Sequence, residues 1–526
     1  MLRLLKAALL ALVIHLVAFA GAQEAGGDLV VGIRFDSFGT LDIHVTPLTQ
    51  TAYVAGHIFE KLVYLDAEGN LLPWLATSWE ANDAATEWTL TLRDDVTFHD
   101  GTPFDAAAVV ANFDRMVDPE TNSRTAGPLL GPYERSEAID DTTVRVIFSE
   151  PYAQFAFALS SPFVGIVSPT AVETYGDDFD EHLVGTGPFK FVRQEPQIEV
   201  VLERNDDYAW GPEKFQDGPA YLETVTFKLI LEEETRLAAL ETGEAEIVDE
   251  VPATRVASIR DAGRFELLGA PRLGIARSNF LNAMLPPTDD VRIRRAINYA
   301  VDVEAINQAI FRGVYPFAKQ VLTEGVRFYD PTYDNYYPFD PERAIELFEE
   351  AGWTEINDDG YRVKDGEELF INHATFAGYV AEAPSELVQA YLRDVGVRMD
   401  ITVVGSGYVD VVSAVDSPYH SAHVATYSPD PGLILNRVFN SAGIGSANWG
   451  HYANEELDRL LQAGLATSDE DERADIYSEI QRIFAEDAVA LPLYGNVSIF
   501  GFDPIVQGFG FNAYGHPELL GVWLDD

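Results

Sequence analysis

The residues that could perform chemistry do not form a catalytic pattern. A nucleophile elbow needs Gly-x-Ser-x-Gly after a strand, and the segment 405–407 does not fit it. The segment 185–187 lacks the third glycine of a dinucleotide fingerprint, and no phosphate-loop motif occurs. The acidic turns at 177–180 and 357–360 do not match the calcium-loop pattern. These comparisons predict a protein without catalytic residues, cofactor or metal.

Two histidines have a spacing that could hold a metal ion. His420 and His423 are three residues apart and would share a face if their segment were helical. No glutamate motif and no further ligand lies near them in the sequence. A metal site and a hydrogen-bonded or exposed pair both remain open, and the lack of further ligands favours the second.

Charge and size narrow the range of partners. The chain has 526 residues and is 47% hydrophobic, which is enough for two or three domains with a large core. It carries 85 acidic and 35 basic residues, a net charge of −50. This charge argues against nucleic acid and anionic membranes as partners. A saline habitat and an ordinarily acidic secreted protein explain it equally well.

The N-terminus has the layout of a cleaved secretory signal peptide. Arg3 and Lys6 precede an apolar run, and two small-residue cleavage sites follow, ending at Ala20 and Ala22. We therefore assign residues 1–22 to a signal peptide. The sequence has no cysteine, so a lipoprotein anchor and disulfides are excluded. We expect a periplasmic protein with no stable membrane insertion after processing.

The elements that would position a site show clear periodicities. Between residues 55 and 116 the pattern predicts a helix with Ile58, Leu62 and Val63 on its apolar face, a turn at 66–70, a strand through 88–92 and a helix at 109–116. Elsewhere it predicts strands at 29–33, 144–148, 225–229, 370–374 and 397–404, and helices at 236–240, 341–351, 388–395 and 476–484. Strands alternating with helices predict α/β lobes with partly parallel sheets.

Several sequence segments in these elements resemble those of a known family. The segment FEKLVYLDAEGNLLPWLATSWE is followed by WTLTLRDDVTFHDGTPF, and then by further segments at 185–189, 290–297 and 452–458. In this order they resemble the extracellular solute-binding proteins of family 5, the peptide-type receptors of ABC importers. The resemblance extends from Leu29 to the C-terminus.

The resemblance implies a fold and a set of partners. The fold would be α/β, a two-lobed periplasmic-binding-protein of type II (cluster C-like) with an extra subdomain inserted in the first lobe. The implied domains are lobe I at 28–70, 185–272 and 498–526, the inserted subdomain at 71–184, and lobe II at 273–497. The implied partners are a cognate ABC permease with its ATPase and a small solute, and we expect a monomer without enzymatic activity.

The resemblance also places the walls of a binding cleft in four regions. The expected ligand-binding residues are Thr49, Gln50, Thr51, Thr375, Phe376, Tyr379, Tyr408, Tyr427, Asp430 and Tyr494. Aromatic rings could line the pocket or stack on a ligand, and each could equally belong to the core. The threonines and glutamine before the first helix could bind a ligand or cap that helix.

One region departs from the pattern of peptide receptors. Aligned on Asp430-Pro431, the family's tryptophan and its ammonium-binding aspartate fall at Val424 and Tyr427. The arginine that holds a dipeptide carboxylate falls near Thr375. Both charged anchors are thus replaced by neutral residues, unless Asp430 itself faces the ligand, and helix capping is the favoured role for Asp430. We predict a receptor for oligopeptides, with neutral oligosaccharides as the alternative ligand and a secreted hydrolase as the second function class.

Overall fold

The computed structural model describes residues 26–35, 39–46, 48–67, 69–216, 218–377, 379–405 and 407–525, with the backbone alone at 49, 50 and 379. The signal peptide assigned to residues 1–22 lies outside the described residues. Within these ranges, no helix combines the length and the apolarity needed to cross a membrane.

The chain alternates between strands and helices throughout. The strands are β1 (Asp28–Ile33), β2 (Val63–Leu65), β3 (Leu71–Pro73), β4 (Ala76–Ala81), β5 (Glu87–Leu92), β6 (Tyr133–Asp140), β7 (Thr143–Phe148), β8 (Phe189–Glu195), β9 (Glu199–Arg204), β10 (Thr224–Leu229), β11 (Ile247–Val248), β12 (Glu266–Pro271), β13 (Gly274–Leu281), β14 (Glu355–Ile356), β15 (Arg362–Lys364), β16 (Glu367–Glu368), β17 (Phe370–Phe376), β18 (Arg398–Val404), β19 (Ser421–Tyr427), β20 (Ala490–Tyr494), β21 (Val497–Phe502), β22 (Val506–Gln507), β23 (Gly510–Phe511), β24 (Pro517–Glu518) and β25 (Trp523–Leu524). The α-helices are α1 (Thr49–Ala55), α2 (Ala106–Val117), α3 (Ala126–Leu129), α4 (Phe155–Ala158), α5 (Pro169–Tyr175), α6 (Glu233–Thr242), α7 (Ala253–Ala262), α8 (Val291–Ala300), α9 (Val303–Phe311), α10 (Pro341–Glu350), α11 (Tyr379–Asp394), α12 (Tyr408–Ser413), α13 (Pro431–Phe439), α14 (Glu455–Ala466) and α15 (Glu470–Asp487).

Three sheets define the parts of the molecule. Lobe I is built around a seven-stranded sheet of order β12-β21-β11-β1-β10-β9-β8, and lobe II around a five-stranded sheet of order β18-β17-β19-β13-β20. The inserted subdomain contains a four-stranded sheet of order β4-β5-β7-β6. We use these three names for the parts around these sheets, and the domain limits given from the sequence stay predictions.

Lobe I is assembled around its first strand. β1 pairs in parallel with β10 and β11, while β9 and β21 add antiparallel neighbours. Leu29, Val31 and Ile33 of β1 are fully buried, as expected for a central strand covered on its faces. The strand predicted at 29–33 is confirmed.

In the segment 55–116, most of the predicted elements are confirmed, but the first helix is not. β5 alternates as predicted, and α2 buries Phe113 and Met116 beneath the sheet with Asp105 capping its N-terminus. The helix expected to carry Ile58 and Leu62 is wrong, because α1 ends at Ala55. Both residues are fully buried in the turns that follow, so their apolar pattern reflects burial rather than helical periodicity.

Lobe II presents the C-terminal ends of three parallel strands, β17, β18 and β19, at one edge. β17 pairs in parallel with both β18 and β19, and β13 is antiparallel to β19. The helix predicted after Asp340 is confirmed as α10, since the Asp340 carboxylate accepts from the Arg343 amide at 2.9 Å. α11 is followed by Gly396 at a φ of +84°, as the predicted glycine stop requires.

Candidate functional site

The chain crosses between the two lobes at two neighbouring connectors. The first runs from Pro271 at the end of β12 to Gly274 at the start of β13, and the second joins Tyr494 of β20 to Val497 of β21. The Arg272 amide donates to the Asn496 carbonyl at 2.9 Å, which ties the connectors together. Two adjacent connecting segments between two sheets have the geometry of a hinge.

Gly274 is required at the first connector by both sterics and conformation. Its φ is +145°, and a Cβ atom there would lie 2.5 Å from the Thr426 carbonyl oxygen. The hinge therefore packs directly against the end of β19, where the candidate ligand residues lie.

A partly buried polar network connects the hinge to lobe I. Arg272 Nη2 lies 2.9 Å from Tyr53 Oη, 3.0 Å from Glu250 Oε1 and 2.8 Å from Ser498 Oγ. Burial alone would raise the pKa of Glu250, but the charge of Arg272 holds that pKa below its ordinary value. On the lobe II side, the Arg272 guanidinium lies 5.6 Å from the centre of the Tyr427 ring. Tyr427 is thus part of the junction between the lobes.

Several candidate residues meet at the C-terminal edge of the lobe II sheet. Phe376 closes β17 and Tyr427 closes β19. The parallel register pairs Ala374 with Ala422, so Thr375 is level with His423. In α/β sheets the carboxyl ends of the strands are where ligands bind. The sequence predicted the strand at 370–374, which extends two residues further in β17, but it did not predict β19.

Aromatic rings surround this edge. The Phe376 ring lies 5.7 Å from the Tyr408 ring and 5.7 Å from the His423 ring, centre to centre. Tyr408 donates to the His423 carbonyl at 2.8 Å and is only partly buried. Tyr494 is 1% exposed, donates to the Val380 carbonyl, and packs 6.3 Å from His423. Tyr494 therefore forms the floor beneath the more accessible rings.

Three polar side chains at this edge have buried atoms without a hydrogen-bond partner. These atoms are Thr375 Oγ1, His423 Nε2 and Arg277 Nε. Buried polar atoms are nearly always paired, and an unpaired one costs about 1–3 kcal/mol. Their concentration around Phe376 identifies a place where a bound molecule could supply the missing partners.

His423 is fixed as a hydrogen-bond acceptor. Its Nδ1 lies 3.0 Å from Asn279 Oδ1, and an amide oxygen only accepts, so the ring hydrogen is on Nδ1. Burial lowers the pKa of His423 well below the ordinary value, with a further contribution from Arg277. The neutral ring therefore presents the lone pair of Nε2.

Four further predicted residues are not among the side chains that the structure describes at this edge. Thr51 is fully buried in α1. The side chains of Thr49, Gln50 and Tyr379 lie outside the described residues. Of the predicted set, the described side chains that gather at the lobe II edge are Thr375, Phe376, Tyr408, Tyr427 and Tyr494.

The Asp430 carboxylate is buried and bonded to other groups of lobe II. Its carboxylate accepts from the Gly432 amide at 2.8 Å and so caps α13. It is 0% exposed and receives Arg473 Nη2 at 2.9 Å. The favoured expectation, helix capping, is confirmed, and both carboxylate oxygens already have partners inside lobe II.

Arg277 was not among the predicted site residues, and the helical arrangement considered for His420 and His423 does not apply. His423 lies in β19 rather than on a helix, so His420 and His423 do not share a face, and His420 contacts the Pro286 carbonyl instead. The signal for Arg277 was present, since it is the one charged residue in the GIARSNFL run of β13. In the described part of the chain, no group of three or more potential ligands could hold a metal ion.

Comparisons with known proteins agree with this architecture. Among curated proteins, the glutathione-binding protein GsiB of Escherichia coli O157:H7 is 28% identical over 526 residues, covering 96% of each chain. GsiB of Salmonella typhimurium is 28% identical over 507 residues, covering 92% of each chain.

Solved structures match over nearly the whole chain. NikA from Brucella suis in complex with Fe(III)-EDTA superposes with a TM-score of 0.83 at 26% identity, covering 94% of this chain and 100% of NikA. DppA from Helicobacter pylori in complex with the peptide STSA has a TM-score of 0.79 at 24% identity, covering 96% of this chain and 99% of DppA. The fold is that of a type II periplasmic binding protein.

The sequence profile of the bacterial extracellular solute-binding proteins, family 5, matches residues 70–446. This match covers more than half of the chain, and it includes the Phe376, Tyr408 and Tyr427 edge. The chain belongs to the bacterial extracellular solute-binding proteins of family 5, the solute receptors of ABC importers.

Proposed function

We propose that this receptor captures a peptide-like solute between its lobes and delivers it to a cognate permease without altering it chemically. The observation that carries the proposal is the group of unpartnered polar atoms of Thr375, His423 and Arg277 around Phe376. A peptide backbone offers both N–H donors and carbonyl acceptors to such a group. Glutathione, named for the GsiB relatives, is itself a small peptide.

Closure of the hinge would bring lobe I over this edge. Arg272 already contacts Tyr53 and Glu250 of lobe I and the ring of Tyr427 in lobe II. A solute that prefers the closed arrangement would stabilise it by its differential affinity. We expect glutathione or a tripeptide to reduce the radius of gyration in small-angle scattering. Binding without compaction would contradict the two-lobe clamp.

Thr375 gives the sharpest test of the site. Thr375→Val keeps the shape of the side chain and removes a buried hydroxyl that has no partner. The unliganded protein should lose little or no stability, whereas the affinity for a peptide should fall by about 1–3 kcal/mol if that hydroxyl binds it. Calorimetry with glutathione and trialanine measures the affinity. An unchanged affinity would remove Thr375 from the site.

Tyr427 tests the aromatic wall. Tyr427→Ala should weaken peptide binding by about 1–3 kcal/mol through loss of apolar contact. Tyr336→Ala is the matched control, because Tyr336 is 45% exposed on the loop between α9 and α10. Equal affinities for all three proteins would place the solute elsewhere. Binding of a neutral oligosaccharide but of no peptide would favour the alternative ligand class, and hydrolysis of the peptide would reveal an enzyme.

The proposal includes the state of the mature protein. We expect cleavage after Ala20 or Ala22, so that the receptor is a periplasmic monomer without a lipid anchor. N-terminal sequencing of the protein from its native host, together with light scattering, tests both statements. Retention of Met1 on membrane-bound protein would contradict the first, and a stable dimer the second.

A further inference from the structure

Among the residues that the structure describes, Arg277 carries a positive charge at the lobe II edge without an ion-pair partner. It lies in β13 opposite Tyr494 of β20, and its side chain is partly buried. Its Cζ atom is 5.4 Å from the centre of the Phe376 ring. In the described part of the chain, no carboxylate lies within ion-pair distance of it, and Nε is buried without a hydrogen-bond partner. The guanidinium therefore contacts an aromatic face, and the carboxylate that acts on it, Glu250, lies beyond ion-pair distance.

Three other arginines, two of them buried and one partly buried, each have a carboxylate partner. Arg236 pairs with Asp249 at 3.0 Å, Arg473 with Asp430 at 2.9 Å, and Arg272 with Glu250 at 3.0 Å. Acidic residues outnumber basic ones by 85 to 35. A lack of available carboxylates therefore does not explain why Arg277 has none.

We infer that the solute carries a carboxylate that binds Arg277, and that the N–H group next to this carboxylate donates to Nε2 of His423. This inference rests on the proposed function and specifies the class of solute. The guanidinium presents parallel N–H groups that fit a carboxylate in a bidentate manner. The carboxylate would be the free C-terminus of a peptide or an equivalent acylated amino acid.

The two groups are placed for such a solute. Arg277 and His423 both lie beside the Phe376 ring, at 5.4 Å and 5.7 Å from its centre. In a C-terminal residue, the carboxylate and the backbone N–H are attached to the same Cα atom. A cation and a neutral acceptor held close together match that pair, whereas a neutral oligosaccharide would leave the guanidinium charge uncompensated.

The inferred site replaces a missing anchor from a different strand. The sequence aligns the carboxylate-binding arginine of dipeptide receptors near Thr375, in β17. Arg277 reaches the same edge of the sheet from β13, two strands away in the order β17-β19-β13. The neutral residues at 375 and 427 therefore do not make the whole cleft neutral.

The test compares acids with amides. Glutathione and trialanine, each as the free acid and as the C-terminal amide, are titrated into the unmodified protein, Arg277→Gln and Arg277→Lys. The unmodified protein should bind the acids about 30-fold or more tightly than the amides, which is the factor expected for truncating one partner of a buried charge pair. Arg277→Gln should lose this preference, and Arg277→Lys should keep part of it.

Controls separate the inference from the proposed function. Arg398→Gln removes an exposed arginine of β18 that pairs with Glu368, and it should bind like the unmodified protein. The acid-to-amide ratio of the unmodified protein needs no variant, so it decides the question even if Arg277→Gln does not fold. Equal binding of acids and amides would overturn the inference and leave the proposed function standing. Binding of a neutral oligosaccharide and of no peptide would overturn both.

Discussion

Asp430 allows a structural role to be distinguished from a ligand-binding role. Its carboxylate is 0% exposed, caps α13 through the Gly432 amide, and receives Arg473 Nη2 on both oxygens at 3.1 Å and 2.9 Å. Arg473 is 2% exposed, and its guanidinium carbon lies 4.7 Å from the centre of the Phe328 ring. We therefore expect Asp430 to act on stability rather than on affinity.

The magnitude follows from the two shorter interactions that are lost, because the third, with Arg327 Nη1 at 3.7 Å, is long and partly exposed on the Arg327 side. Asp430→Ala leaves the Arg473 charge buried without its partner, at a cost of about 3–5 kcal/mol, and removes a helix cap worth about 1 kcal/mol. The unfolding free energy should fall by about 4–6 kcal/mol. With a urea slope of about 3 kcal/mol/M, the midpoint falls by about 1.3–2 M. Asp430→Asn keeps one acceptor and should cost about 2–3 kcal/mol.

A double variant isolates the buried charge. Asp430→Ala combined with Arg473→Met removes both charges, so it should be less destabilised than Asp430→Ala alone. Urea unfolding followed by circular dichroism gives the midpoints, and calorimetry with glutathione gives the affinity. An Asp430→Ala protein with an unchanged midpoint and a large loss of affinity would refute this reasoning and make Asp430 a ligand contact.

Three further predictions concern pH, the hinge and salt. Burial lowers the pKa of His373 to about 3, so the stability it contributes is lost as pH falls below its unfolded value of 6.5. When the pH is lowered from about 7.5 to about 5, the unfolding free energy of His373→Asn should therefore fall by about 2 kcal/mol less than that of the unmodified protein. Urea unfolding measures both decreases, and equal decreases would contradict this prediction. Glu250→Gln leaves Arg272 without the carboxylate that lies 3.0 Å away, and it should lower the unfolding free energy by about 2–3 kcal/mol. The same change should increase the radius of gyration of the unliganded protein in small-angle scattering. An unchanged radius would show that the Glu250–Arg272 pair does not hold the hinge. Because the net charge is −50, raising the ionic strength from about 20 mM to about 200 mM should speed the association of anionic glutathione and slow that of cationic trialanine amide in stopped-flow measurements. The same salt response for both would exclude long-range steering.

Local patterns in the sequence were sufficient for most elements of this protein. The alternation of Trp88, Leu90 and Leu92 predicts β5 because side chains of a strand point alternately to two faces. Asp340 followed by a proline predicts the start of α10 because a carboxylate and a fixed φ suit a helix N-terminus. The pattern failed at Ile58 and Leu62, because burial in turns produces apolar residues without periodicity.

The binding edge was only partly predictable. The end of β17 could be located approximately from the strand predicted at 370–374, whereas Tyr427 at the end of β19 was a candidate only through the family resemblance. Arg277 could not be recognised from a strand end. The role of a charged residue within a strand depends on the residues beside it in the neighbouring strands, and the sequence pattern does not give these neighbours. Only the pairing of β13 with β19 and β20 brings Arg277 beside Phe376 and leaves it without a carboxylate.

The sequence by itself determined the family, the fold class and the acidic surface, since these depend on the order of local elements and on composition. The tertiary structure alone decided which charges are paired. Asp430 and Arg473 are 43 residues apart and neutralise each other inside lobe II, whereas Arg277 remains unpaired at the edge of the sheet. The energy of a charge depends on its distance to other charges and on its burial, and both are set by contacts between residues far apart in the chain.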